Sequence, residues 1–182
     1  MNTRLKKIAL VLAIAALPGA ALAAPTITFQ GEVSDQTCKV SVNGDTNSVV
    51  LLETVNLADF TANGAVGGET TFTVSVSDCE RPSVNTPINV NFLGYDVDQN
   101  SGVMGNRAAE ATAAKGFGIQ LLDASGGGAV MLDGVTSVAG LELASGDDTA
   151  SHDFAAQYYL IDSTIATAGA VTSVAEYTLS YF

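Results

Sequence analysis

From residue 70 to 77 the chain reads T-T-F-T-V-S-V-S, so that Phe72, Val74 and Val76 alternate with Thr71, Thr73, Ser75 and Ser77. Successive side chains of a strand point to opposite faces, and this period of two predicts a half-buried β-strand. The same alternation recurs at Ile88, Val90 and Phe92, at Phe117, Ile119 and Leu121, at Phe154, Ala156, Tyr158 and Leu160, and at Tyr177, Leu179 and Tyr181. Shorter candidates are Cys38 to Val42, Val49 to Leu52 and Val130 to Leu132. Between these runs lie Asn43-Gly44-Asp45, Asn63-Gly64, Ser125 to Gly128 and Ser145 to Asp148, whose residues favour turns. Arg107 to Lys115 is rich in alanine, but Gly116 ends it after about two turns, too short for a helix stable alone. It reads as a loop or a short turn of helix. Many short strands divided by turns predict an all-β sandwich. No repeat or interdomain linker interrupts the pattern, and 182 residues suit one domain.

Composition narrows the function. Charged residues make up 14% and hydrophobic ones 47%, a balance that opposes extended disorder. The net charge is −12, with only seven Lys and Arg. Phosphate contacts dominate nucleic-acid affinity, so so few cations argue against nucleic acid, and the same shortage argues against an anionic membrane surface.

The N-terminal stretch reads as a secretory signal. Arg4, Lys6 and Lys7 precede an apolar run from Ile8 to Leu17, Pro18-Gly19 breaks it, and Ala21-Leu22-Ala23 offers small residues for cleavage. The alternative is an uncleaved anchor, although the run is short for a bilayer span. Removing residues 1–23 takes three of the seven basic residues and none of the 19 acidic ones, leaving four against 19 and a net charge of −15. The expected product is exported.

In an exported chain, the pair Cys38 and Cys79 reads as a disulfide. Two cysteines with one distant histidine cannot complete the usual four-ligand zinc set, so no metal is expected there. His152 is the only histidine, and no nucleophile motif accompanies it. It reads as a strand-edge or loop residue, not a catalytic one, and neither an enzymatic site nor a cofactor or small-molecule substrate is indicated. Asp96, Asp98, Asn100 and Gly102 hint at a calcium loop, but the glycine falls one place late and Arg107 stands where a bidentate Glu is needed. Whether this loop takes an ion is left open by the residues.

The two ends are the most informative. Residues 24–38 read A-P-T-I-T-F-Q-G-E-V-S-D-Q-T-C, with Ile27, Phe29, Gly31 and Val33 on one face of a strand pattern. A glycine there weakens a strand unless something must approach closely. At the other end Gly169 is the fourteenth residue from the end, and Ala175, Tyr177, Leu179 and Tyr181 alternate up to a penultimate aromatic. Together with F-T-V-S-V-S-D-C at 72–79, G-F-G-I-Q-L-L-D at 116–123 and A-Q-Y-Y at 156–159, these segments make the chain resemble the major subunits of chaperone-usher pili, the type 1 fimbrial pilins.

The resemblance implies an incomplete immunoglobulin-like sandwich lacking its last strand, spanning residues 34–182, with residues 24–33 as a donor extension. It implies a hydrophobic groove beside the C-terminal strand, formed by Gly169, Ala175, Tyr177, Leu179, Tyr181 and Phe182. A periplasmic chaperone fills this groove first, its basic residues holding the Phe182 carboxylate. The N-terminal extension of the next subunit then replaces it at an outer-membrane usher, adding a strand at an open sheet edge. The family more often ends in a polar residue after the aromatic, and here Phe182 departs from that pattern. The implied product is an extracellular fimbria that supports adhesion. Alternatives are a minor or terminating subunit, and a self-complete secreted sandwich that binds carbohydrate. In such a complete sandwich Tyr177, Leu179 and Tyr181 would form an ordinary core strand.

Overall fold

A computed structural model of the protein describes residues 38–181, all within the compact unit Glu32–Phe182. Nine strands follow in order: β1 (Lys39–Val42), β2 (Val66–Ser77), β3 (Thr86–Gly94), β4 (Met104–Gly105), β5 (Phe117–Leu122), β6 (Ala129–Val130), β7 (Val135–Leu143), β8 (Ala150–Leu160) and β9 (Ala175–Tyr181). A single 3-10 turn, Leu57–Asp59, is capped by the Asn56 side chain, which accepts from the Ala58 N–H.

The strands form two sheets, and every named pair is antiparallel. One runs β1-β2-β8-β5-β4, with β6 also pairing β5; the other runs β7-β3-β9. The long alternating run of β2 sets the register against β8, with Phe72 opposite Phe154 and Val74 opposite His152. Phe72, Val74 and Val76 are buried, as are Ile88, Val90 and Phe92 of β3 and Phe154 of β8. The two sheets meet through these inward residues. Phe154 stacks on Phe72 at 5.9 Å between ring centroids and takes Phe92 edge-on at 5.4 Å, geometries that add to the burial itself. A smaller cluster of Phe60, Ala114, Phe117 and Leu160 closes one end, with Tyr158 and Val171 packed against both clusters.

Cys38 and Cys79 are disulfide-bonded, joining the start of β1 to the end of β2 where the two strands already pair. The zinc alternative for these cysteines therefore falls away.

Several expectations need correction. Residues 49–52 are not a paired strand: Val49 and Leu51 point outward while Val50 and Leu52 pack on the core, a strand-like alternation with no ladder partner among the described residues. β5 is buried along its whole length, not on one face only. β7 carries no simple alternation, because a bulge opposite Asn89 shifts register between Val138 and Leu141 and separates its buried positions by three. The stretch 107–115 is irregular, the loop of the two readings the sequence allows. His152 lies within β8, an interior strand, not at an edge or in a loop. Its ring packs edge-on against Phe154 at 4.6 Å, and its Nε2 lies 2.8 Å from the Asp123 carbonyl oxygen.

Candidate functional site: an apolar cleft beside the last strand

β9 pairs with β3 from Ala175 opposite Gly94 to Tyr181 opposite Ile88. Among the described residues it has no strand on its other side. Its alternation does what the sequence predicts: Tyr177, Leu179 and Tyr181 pack inward on the core, while Glu176 and Thr178 are exposed.

Along the outer side of β9 lies a cleft with a volume of about 490 Å³. One wall is the unpaired segment 48–52; the other is 171–175 with Tyr177. Its floor is core: Phe72, Phe92, Ile119, Leu121 and Ala156 all reach it. Among the described residues no charged side chain lines it, and the polar contribution comes from Ser48, Thr172, Ser173 and the two phenols. In a chain this acidic, an uncharged trough open to the core stands out, since a soluble sandwich normally covers such surface. Burial pushes the Tyr158 phenol above its ordinary pKa, because the phenolate is disfavoured away from water. Across one end, the Tyr177 hydroxyl reaches the Thr46 carbonyl oxygen at 3.4 Å, a long and weak bond.

The cleft therefore has two features a strand would satisfy together. Among the described residues β9 has no strand on its outer side, and apolar core side chains form the floor beneath. An open edge of this kind is an aggregation hazard unless something covers it.

Of the residues the sequence singles out, Ala175 and Tyr177 line the cleft directly, and Leu179 and Tyr181 continue the same face of β9. Gly169 is not in the cleft lining. A Cβ there would collide with Ala114 N and come 2.5 Å from Ala113 C and 2.6 Å from Thr112 O, so its role is a close backbone crossing behind the wall. Ile27, Phe29, Gly31, Val33 and Phe182 lie outside the described residues, as does the signal segment 1–23. Sequence reasoning missed Val50, Leu52 and Val171 as wall residues; the alternation at 49–52 was the available signal.

The acidic loop has its carboxylates occupied. Asp96 pairs with Arg107, and Asp98 accepts from the Ser101 hydroxyl and, at 2.9 Å, from its N–H, which holds the Asp98 carboxyl below its usual pKa. Among the described residues no group of three or more His, Cys, Asp or Glu is placed to hold a metal. The ion pairs Lys39–Asp78 at 2.8 Å and Arg81–Asp148 at 2.6 Å are largely exposed, where such pairs contribute little.

Comparison with known proteins agrees with this geometry. A family described as fimbrial protein matches residues 27–181. The F17 fimbrial protein of Escherichia coli is 35% identical over 159 residues, covering 85% of this chain and 86% of its own. The major fimbrial subunit SMF-1 of Stenotrophomonas maltophilia is 35% identical over 178 residues, covering 92% of this chain and 99% of its own. Among solved structures, the P pilus rod subunit PapA superposes with a TM-score of 0.59 at 18% identity, over 80% of this chain and 99% of that one, a likeness of fold. With a sandwich whose last strand has no outer neighbour among the described residues and a family match that spans all of those residues, the chain belongs to the fimbrial protein family and is a structural subunit of a pilus.

Proposed function

We propose that this subunit polymerises head to tail by donor-strand exchange, its residues 24–33 entering the cleft of the next copy. The observation that carries the reading is the apolar cleft between β9 and the unpaired segment 48–52. A strand inserted there would pair with β9 and cover the core floor. The donor pattern fits the chemistry of that floor: Ile27, Phe29 and Val33 are apolar and uncharged. Burying them at about 1.5 to 3 kcal/mol each gives roughly 5 to 9 kcal/mol before any hydrogen bond is counted.

The route to assembly follows from the same geometry. After removal of residues 1–23, an exported chain with an open cleft needs a partner before it meets its neighbours, a role that suits a periplasmic chaperone holding β9 and the Phe182 carboxylate. Exchange at an outer-membrane usher then replaces chaperone by subunit, and the fibre supports adhesion from the cell surface. A donor segment and an accepting cleft in one chain together oppose a terminating role, since a terminator need only accept a strand or only donate one. The uncharged cleft without a polar recognition set opposes the carbohydrate-binding alternative.

The test is direct. Residues 34–182 are expressed without the extension, and a peptide of residues 24–33 is added. Donor-strand exchange requires a monomer whose melting temperature rises strongly with peptide. Equal stability with and without it would support a self-complete sandwich.

A further inference from the structure

The wall of the cleft that precedes β9 has no regular secondary structure of its own. Residues 171–174 belong to no strand, yet they set the distance across which an incoming strand must fit. A second irregular segment, 106–115, packs along them, and one side chain bonds to the backbone of both.

Asn106 makes four hydrogen bonds, all to backbone. Its Nδ2 donates to the Ala114 carbonyl and to the Ala170 carbonyl, both at 2.8 Å. Its Oδ1 accepts from the Ala108 N–H at 3.0 Å and from the Thr172 N–H at 2.9 Å. A primary amide has two N–H donors and one oxygen with two lone pairs, so this capacity is spent in full. Two of the four partners, Ala170 and Thr172, flank Val171 of the cleft wall. Backbone bonds extend the same seam, from Arg107 N–H to Thr172 O at 2.7 Å and from Ala114 N–H to Ala170 O at 2.9 Å. The close crossing at Gly169 belongs to this seam.

The position of Asn106 is itself fixed. It follows Gly105, which pairs with Gly118 in β5, as Met104 pairs with Ile119 of the cleft floor. Asn106 thus transmits the placement of the core sheet to the cleft wall.

We propose that Asn106 is a positioning residue for strand capture: it holds 170–172 at the spacing an incoming donor strand requires, so that the cleft is formed before the strand arrives. Preorganisation of this kind removes ordering cost from the binding step. The inference rests on the donor-strand reading above. It predicts that disturbing Asn106 impairs strand uptake more than it impairs the fold, whereas disturbing a hydrogen-bonded asparagine away from the cleft does the reverse. Asn85 is that comparison: it donates to Glu142 and accepts from the Ser145 N–H, and it does not line the cleft.

The test uses the full chain purified as its complex with the periplasmic chaperone and challenged with a synthetic peptide of residues 24–33. Two variants are compared with wild type. Asn106→Ala removes all four bonds. Asn106→Asp keeps both acceptor bonds but sets a carboxylate oxygen against the Ala114 and Ala170 carbonyls, and it serves where the alanine variant is not recovered folded. Peptide exchange at least tenfold slower in the recovered Asn106 variant, with Asn85→Ala exchanging at the wild-type rate, is the expected result. Exchange by Asn106→Asp at the wild-type rate would overturn the inference while leaving donor-strand exchange intact. Failure of the wild-type complex to take up peptide would overturn both. Amide exchange gives a second readout: the Thr172 N–H stays protected in Asn106→Asp and loses protection in Asn106→Ala, and unchanged protection in the alanine variant would also count against the proposal.

Discussion

The imidazole of His152 occupies the space that a side chain at Gly140 would need: an ideal Cβ at Gly140 would lie 2.5 Å from the His152 Cδ2 and 2.6 Å from its Nε2. Gly140 sits in the β7 bulge with φ at +147°, so glycine is required there both by backbone and by ring. The only histidine of the chain is in this way a packing residue that fills the gap a bulge opens. Gly140→Ala should destabilise by about 1 to 3 kcal/mol, the usual cost of forcing a group into packed surroundings. For a domain of this size that is a drop in Tm of roughly 2–4 °C per kcal/mol. His152→Ala frees the space, so the double variant should be more stable than the sum of the two single effects predicts. A double-mutant cycle by urea unfolding measures this coupling, and strict additivity would remove the steric account.

The disulfide offers a second prediction. Cys38 and Cys79 are 41 positions apart, and closing a loop of that length contributes roughly 4 kcal/mol in the chain-entropy account. Replacing both by serine should therefore lower the urea midpoint by roughly 2 M, taking a slope of about 2 kcal/mol per M. A shift below a quarter of that would mean the open chain is already constrained near this hairpin.

The Asp98 carboxyl is held below its ordinary range chiefly by the Ser101 hydroxyl, with backbone N–H donors adding to it. Its folded pKa is lower than its unfolded one, so its contribution is fully present above the ordinary aspartate pKa and is lost as pH falls through the depressed folded value. Carbon-detected NMR titration should find the Asp98 midpoint below 3.8, the value of a free aspartate. Ser101→Ala should move that midpoint upward while leaving Asp148, which is lowered by Arg81, where it was. An Asp98 midpoint unmoved by Ser101→Ala would assign the shift to the backbone of the turn alone.

Much of this arrangement is legible in the residues. Clean alternation at 72–76, 88–92 and 177–181 marks strands because each has one face on a shared core, whereas β8 is buried on both faces from Phe154 to Gln157. The failures have physical causes. β7 hides because its bulge places Val138 and Leu141 three apart, breaking the period. Residues 49–52 show the alternation of a strand, with Val50 and Leu52 on the core, yet pair with no described strand and form a wall of the cleft. Asn106 carries no periodic or spacing signal at all: its role arises from two irregular segments meeting in space, 64 and 66 positions apart in sequence from its partners Ala170 and Thr172. Of the two termini, the alternation at Tyr177, Leu179 and Tyr181 is seen in β9, while the pattern at Ile27, Phe29, Gly31 and Val33 lies outside the described residues.

The donor segment gives the last prediction. Gly31 interrupts an apolar face made by Ile27, Phe29 and Val33, at a place where a strand in its own sheet would gain from a side chain. If this face lies on the cleft floor, the missing Cβ marks where core side chains of the neighbour rise too high to admit one. Gly31→Val should then block fibre formation, seen by electron microscopy of cells making the chain with its chaperone and usher. The same variant should still fold and be recovered with the chaperone, because its own cleft is unaltered. Phe29→Ala should act differently, weakening a contact without adding a clash, so that fibres form but dissociate at lower denaturant. Normal fibres from Gly31→Val would mean that this face does not enter the cleft, and the donor register would have to be assigned elsewhere in residues 24–33.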